Sequence, residues 1–556
     1  MVNVKNLFGM AVMATALVGC SSNDNLAPDG KDNVGKTGEA YASFTINLPT
    51  TSGTRADEPG TPSFAEGEAK EYEVKNGTIL IFTNEGKFVT SAQLGNMNPW
   101  KDIKTDGVTT AATATVKLSG VTVGGNYQAL VLLNNDVDAS TSKVKLPTAG
   151  ESYATWSAKA ENATAAYTKT DYIFMANAPK YTDASAEPTT LVPVANICAS
   201  REQAEAKAAT TVYVERGLAK VTMQKFNADG YAIAAGTYKG DKVEIKAWQL
   251  DVTNKSTFPV HQTSSLTDGF ANIWSTPRFY DGDNKTFKRV YWGVDPNYSD
   301  ATLQNLIACK DAFNMIGKDD IAGKTGNDHP QYCLENTFDL ANMMQGQTTR
   351  VVFKAVFTPK DFTTGQTFYK IGNTTAIWDA TKLAQQIKTV AFKAMKITTA
   401  DEQAKYSVDL SKGSNISGVA GLHKITADNI TFTGDGKSKV TEDVVNAINE
   451  KLGLKEAGIS TYLNGEAYYI ARIKHFNELT PWTAGTPYNG DNNAFLGRYG
   501  VLRNNWYDLS VNSISGLGYP DVPEVKPNMP DDENEQFINV EVKILDWAKR
   551  SQSIDL

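Results

Sequence analysis

Two segments far apart in the chain alternate apolar and polar residues with a period of two. Tyr41–Leu48 sets Ala42, Phe44, Ile46 and Leu48 on one face, and Phe537–Leu545 does the same with Ile538, Val540, Val542 and Ile544. Successive side chains of extended backbone point to opposite sides, so each pattern predicts a half-buried strand. Runs of β-branched and aromatic residues predict further strands at Gly77–Phe82, Thr113–Leu118, Tyr127–Leu133, Tyr172–Met175, Thr211–Glu215 and Val221–Gln224. The second half continues with Lys242–Asp251, Arg350–Thr358, Thr367–Ile371, Glu466–Ile473 and Trp506–Ile514. Helical spacing is clearest at Lys439–Lys451, and Ser200–Ala208 reads as a short helix. Short strands divided by turn residues predict antiparallel sandwiches rather than alternating strand–helix units.

Each alternating segment lies beside a signal for movement. Thr54-Arg55-Ala56 follows the first, in a Gly/Ser/Thr/Asp loop where a trypsin-like protease could cut between Arg55 and Ala56. A Pro- and acid-rich stretch, 520–536, precedes the second. The pairing of a removable strand with a tethered one predicts assembly by strand exchange.

The start of the chain reads as an export signal. Lys5 precedes the apolar run Leu7–Val18, which is too short to span a bilayer. Leu17-Val18-Gly19-Cys20 has the pattern of a lipoprotein cleavage site, making Cys20 the lipid-bearing residue. Composition narrows the rest. At 556 residues with 41% hydrophobic positions, the chain can build two or three cored domains. A formal net charge of -8 argues against nucleic acid and against an anionic membrane surface. With Cys20 assigned, Cys198, Cys309 and Cys333 remain, as three buried thiols or with a Cys309–Cys333 bridge.

Catalytic and metal patterns are missing from the sequence. The four histidines, His261, His329, His423 and His475, lack ligand spacing, and two or three of them read as surface or loop residues. Asp531-Asp532-Glu533 reads as a solvated linker, and Asp281-Gly282-Asp283 lacks a full calcium-loop pattern. Trp248, Trp292, Trp482 and Trp506 could stack on sugars but fit core positions better. The expectation is therefore no enzyme, no cofactor and no metal.

Several blocks together resemble Bacteroidetes-type fimbrillins (type V pilins), most like those forming the shaft of the minor (short) fimbrium. They are Val212–Val221 (VYVERGLAKV), Phe353–Lys360 (FKAVFTPK), Val501–Tyr507 (VLRNNWY) and Val540–Leu556 (VEVKILDWAKRSQSIDL), with the Cys20 and Arg55 signals. The resemblance implies a mainly β chain of two tandem transthyretin-like antiparallel β-sandwich domains with a few short helices. It implies a lipoprotein signal at 1–19, a lipidated propeptide at 20–55, domains at 56–226 and 227–519, a linker at 520–536 and a donor strand at 537–556. It further implies cleavage at Arg55 by an arginine-specific protease. Ile538, Val540, Val542, Ile544 and Trp547 of one subunit would then replace Ala42, Phe44, Ile46 and Leu48 of the next. Partners on this reading are identical subunits, accessory tip and anchor subunits, and the outer membrane through a transient palmitate-type lipid. The product is an extracellular adhesive fimbria. The alternative is an outer-membrane glycan-binding lipoprotein partnering a polysaccharide importer, which explains neither Arg55 nor the tethered strand.

Physics suits the exchange. A covalently tethered strand competes at millimolar effective concentration or above, so a strand from another molecule displaces it only after a cut. Fully extended, 520–536 would reach about 50 Å.

Overall fold

The computed structural model describes residues 37–49, 68–95, 101–102, 108–135, 143–162, 167, 171–181, 188–263, 289–321, 329–412, 414–415, 422–475, 496–531 and 538–546. Cys20, Arg55, Ala56 and Trp547 lie outside them. The chain is mainly β, as its alternating segments require.

The first sheet is built from β1 (Thr37–Pro49), β2 (Gly77–Thr83), β3 (Phe88–Gln93), β4 (Val108–Thr122), β5 (Tyr127–Leu133), β6 (Met175–Asn177) and β7 (Thr210–Arg216). They run in the order β3-β2-β5-β6-β7-β1-β4, with a two-residue strand, Lys101–Asp102, beyond β4. The sheet curls until β3 approaches β4, enclosing one core of Ala42, Phe44, Ile79, Val116, Val131 and Val212. Alternation makes this possible, since one face of each strand is apolar and needs a partner surface.

The chain crosses to a second body at Gly217. It enters β8 (Leu218–Met223) and continues through β9 (Lys242–Asp251), β10 (Gln331–Leu334), β11 (Arg350–Thr358), β12 (Phe368–Ile371), β13 (Ile459–Tyr462), β14 (Glu466–Arg472), β15 (Asn505–Ile514) and β16 (Ile538–Asp546). One sheet has the order β10-β8-β15-β16, and the facing sheet carries β9-β11-β14. Val221, Trp248, Phe353, Tyr469, Tyr507 and Val540 fill the space between them. The crossing at Gly217 lies some ten residues before the expected boundary at 226. A Cβ there would sit 2.4 Å from the Tyr167 hydroxyl and 3.1 Å from the Phe174 ring, so any larger residue at this turn would have to displace the buried Tyr167 side chain.

Three features differ from the sequence expectation. The sheets are not purely antiparallel, because β1 runs parallel to β7 and β8 runs parallel to β15. Between β12 and β13 sits a lobe with its own core, containing α1 (Ala380–Met395) and α2 (Glu442–Lys451). Helix α1 was not anticipated: its stripe of Leu383, Ile387, Ala391 and Met395 is diluted by Ala and Thr, which leaves the periodicity faint. Finally, 520–531 is no free tether. Pro523 accepts a hydrogen bond from Arg350, Val525 is buried, and the buried Asp531 carboxylate accepts one from the Thr348 hydroxyl at 2.8 Å. The solvated reading of Asp531 is corrected by that bond, which a buried carboxylate needs.

Among the described residues no helix is long and apolar enough to cross a membrane, and no group of three His, Cys, Asp or Glu is placed to hold a metal ion. Cys198, Cys309 and Cys333 are buried free thiols, so the Cys309–Cys333 bridge is not made.

Candidate functional site

β1 is an interior strand. Along its whole length it pairs antiparallel with β4, from Thr37 opposite Thr122 to Pro49 opposite Val108. On its other side Phe44–Asn47 pairs with Thr210–Tyr213 of β7. Tyr41 and Cys198 exchange backbone hydrogen bonds of 2.9 and 2.8 Å, which extends that side toward the strand's start.

Its inward face carries the predicted residues. Ala42, Phe44 and Ile46 are wholly buried, and Leu48 is 1% exposed. Ala40 adds a fifth inward position that the sequence reading left out. Each large apolar side chain here is worth roughly 1.5–3 kcal/mol on burial. The outward face is capped by polar contacts. The Ser43 hydroxyl lies 2.7 Å from that of Thr115 and donates to the Ala204 carbonyl at 3.0 Å, and Thr45 meets Thr113 at 2.9 Å. Without β1, the facing edges of β4 and β7 would hold unpaired backbone groups above an open core, the arrangement that recruits another strand.

β16 stands differently. Among the described residues it pairs antiparallel with β15 alone, from Ile538 opposite Ile514 to Asp546 opposite Asn505, with an irregularity between Val511 and Ser513. It is thus an edge strand of its own subunit. Val540 reaches the sandwich core at 5% exposure. The structure therefore does not bring the two alternating strands together: β1 belongs to the first body and β16 to the second.

Between the bodies lies a cluster of buried charges that sequence reasoning missed. Glu71, in the turn of helix Ala69–Tyr72, receives the Lys220 ammonium at 2.6 Å and the Tyr332 hydroxyl at 2.5 Å. Its carbonyl accepts from Arg216 Nε at 2.9 Å. Lys220 also lies 4.0 Å over the Trp506 ring. Arg216 N donates to the Asn504 side chain at 3.1 Å, and Asn504 N donates to the Leu218 carbonyl at 2.8 Å. The two resembling blocks, around Arg216-Gly217 and around Arg503-Asn504, therefore interlock. Deeper in, Glu215 faces His261 at 2.7 Å and Arg289 at 3.2 Å, while Arg503 reaches Glu335 at 3.1 Å.

Electrostatics follows from that burial. Burial pushes the Glu215 carboxyl up, but His261, Arg289 and Arg503 outweigh it and hold the group below the usual range. Burial draws Lys220 down against the pull of Glu71, and brings Arg216 down to about 10. His261 and His475 are buried within hydrogen-bonded networks, whereas His329 is exposed and His423 half-buried, so two of the four lie toward the surface. Charged residues inside otherwise apolar strand segments (Glu215, Arg216, Lys220) were the available signal, since buried charges demand partners.

The tryptophans have structural surroundings. Trp248 and Trp292 are fully buried, and Trp506 donates to the Thr222 hydroxyl at 2.6 Å beneath Lys220. Trp482 lies outside the described residues.

Residues 460–553 match the family model described as major fimbrial subunit protein type IV, fimbrillin, C-terminal. The C-terminal part of this chain is fimbrillin-like. The match spans β14, β15 and β16, which places the fimbrillin-like region on the part of the second sandwich that holds the edge strand. Solved structures similar to the chain include a fimbrilin (FimA) from Porphyromonas gingivalis W83, at 11% identity and TM-score 0.36, covering 92% of this chain and 99% of that one. The tip fimbrial protein Mfa3 from Porphyromonas gingivalis, with a C-terminal truncation, aligns at 11% identity and TM-score 0.29 over 91% and 100%. A fimbrial assembly protein from Parabacteroides distasonis aligns at 13% identity and TM-score 0.27 over 61% and 93%. Comparison with curated proteins finds no match.

Proposed function

We propose that this fimbrillin-like chain is the shaft subunit of an adhesive surface fimbria, of the minor type, working as a structural protein and not as an enzyme. It is exported as a lipoprotein acylated on Cys20, held at the outer membrane, and cut between Arg55 and Ala56 by an arginine-specific protease. β1 then leaves with the propeptide, and a neighbour's C-terminal strand enters between β4 and β7. The first body, ending at Gly217, and the second, beginning with β8, act as the two sandwich modules of the filament. Tip and anchor subunits complete it.

The observation that carries this reading is the position of β1. An interior strand whose loss would open a core is the last described element before Arg55, while β16 has one strand partner among the described residues and can detach at lower cost. Docking of 520–531 on the body means that donation also requires that segment to peel away or the swing to begin after it. The burial of Trp248 and Trp292 weighs against the glycan-binding alternative.

The test is Arg55→Ala expressed in a cell that forms filaments. The expected product is a lipidated monomer at the outer membrane; filaments of normal length would sink the mechanism. A chain truncated before Ile538 should be cut normally yet fail to donate, ending each polymer it joins.

A further inference from the structure

A removable strand raises the question of where removal stops. Residues 50–70 separate β1 from Glu71, and the chain downstream of a cut at Arg55 would begin as a free end. Free ends fray until a buried contact holds them. The first such contact among the described residues is Glu71 itself, which is wholly buried. Its carboxylate also accepts from the Glu68 backbone N–H at 3.0 Å, closing the turn on itself. On either side of it the chain is tied further: the Tyr172 N–H donates to the Lys70 carbonyl at 3.1 Å, and the Asn134 side chain donates to the Glu73 carbonyl at 2.9 Å.

We propose that Glu71 is the stop of propeptide removal: bonded to Lys220 and Tyr332, with its carbonyl held by Arg216, it keeps the new N-terminal segment on the joint between the two bodies. The biological sense of this stop rests on the cleavage reading above, although the contact can be tested apart from it. Three different segments supply its partners, so the segment after the cut is locked to β7 and β8 and, through Tyr332, to β10 of the second body. A charged group buried among charge-assisted donors is held far more firmly than an ordinary loop contact.

The site is flanked by two trypsin-sensitive residues. Lys70 is half-buried and Lys75 is exposed, so their resistance reports local opening around Glu71. The experiment is prolonged trypsin treatment of protein lacking residues 1–20, with the new N-termini read over time for wild type, Glu71→Gln and Tyr332→Phe. Wild type should stop at Ala56. Glu71→Gln should be cut after Lys70 and Lys75 roughly tenfold faster or more, because a buried partner set loses its anion. Tyr332→Phe, which keeps the ring and removes one hydrogen bond, should show a smaller increase at the same two sites and remains informative if Glu71→Gln fails to fold. Cleavage at the exposed Lys382 and Lys393 should not change.

Wild type cut at Lys70 or Lys75 as fast as at Arg55 would overturn the stop, as would variants no more sensitive than wild type. An equal rise at Lys382 and Lys393 would also overturn it, since Glu71 would then be a general stabiliser. Failure to cut at Arg55, with Lys70 and Lys75 behaving as expected, would sink the cleavage reading and leave the stop standing.

Discussion

β1 and β16 share a sequence pattern and differ in what surrounds them. β1 has strands on both sides and a sealed apolar face, whereas β16 has one strand partner among the described residues and stands at the edge of its sheet. Alternation alone does not separate an integral strand from a detachable one. The difference lies in the number of ladders each forms, and in how much core opens when it goes.

The largest effect should come from removing whole strands. Protein cut at Arg55 and freed of its propeptide should bind a hydrophobic dye and aggregate or polymerise, while protein lacking 538–556 should remain a folded monomer with a lowered melting midpoint. Dye binding by the second species equal to that of the first would break the comparison.

Single side chains sharpen it. Phe44→Ala in the uncut chain should cost about 3–5 kcal/mol, since a fully buried ring leaves a cavity. Val540→Ala, on the edge strand but with its side chain in the core, should cost about 1.5 kcal/mol. Urea titration of both variants would check the ratio, and equal losses would mean that β16 is as integral as β1.

Acidity should act on the body without favouring either strand. Asp295 accepts hydrogen bonds from Asn254, Asn297 and Thr337, yet burial outweighs them and pushes its carboxyl up to about 7. A raised carboxyl supports the fold fully below its ordinary value near 3.8, and that support is lost as the pH rises through 7. The change across the window is at most on the order of 4 kcal/mol. Asp295→Asn should flatten the stability profile between pH 4 and 7 while leaving the difference between Phe44→Ala and Val540→Ala intact. The smallest effect belongs to the exposed pair of Glu39 on β1 with Lys117 on β4, 2.5 Å apart. Glu39→Gln should leave the unfolding midpoint unchanged, because solvent already screens that pair.

Much of the fold was legible in the sequence. Lys242–Asp251, Arg350–Thr358 and Tyr127–Leu133 form strands with the bounds their patterns predict, because dense β-branched and aromatic runs leave little ambiguity. Tyr172–Met175 was displaced, since Tyr172 adopts a left-handed φ of 56° and the strand begins only at Met175. The strand at Phe88–Gln93 went unread because its burial does not alternate cleanly. Of the candidate site, the inward face of β1 was legible, but Glu71 was not: nothing local marks one glutamate of a polar segment as the partner of Lys220, 149 positions away.

Which segments are strands and which faces are apolar can be read along the chain, because those properties depend on neighbouring side chains and their solvation. That β1 is interior and β16 stands at an edge, that 520–531 lies docked, and that Glu71 meets Lys220 and Tyr332 emerges from the packed fold. Strand partners and buried ion pairs join residues scores to hundreds of positions apart, and their energies exist only once the intervening chain has folded.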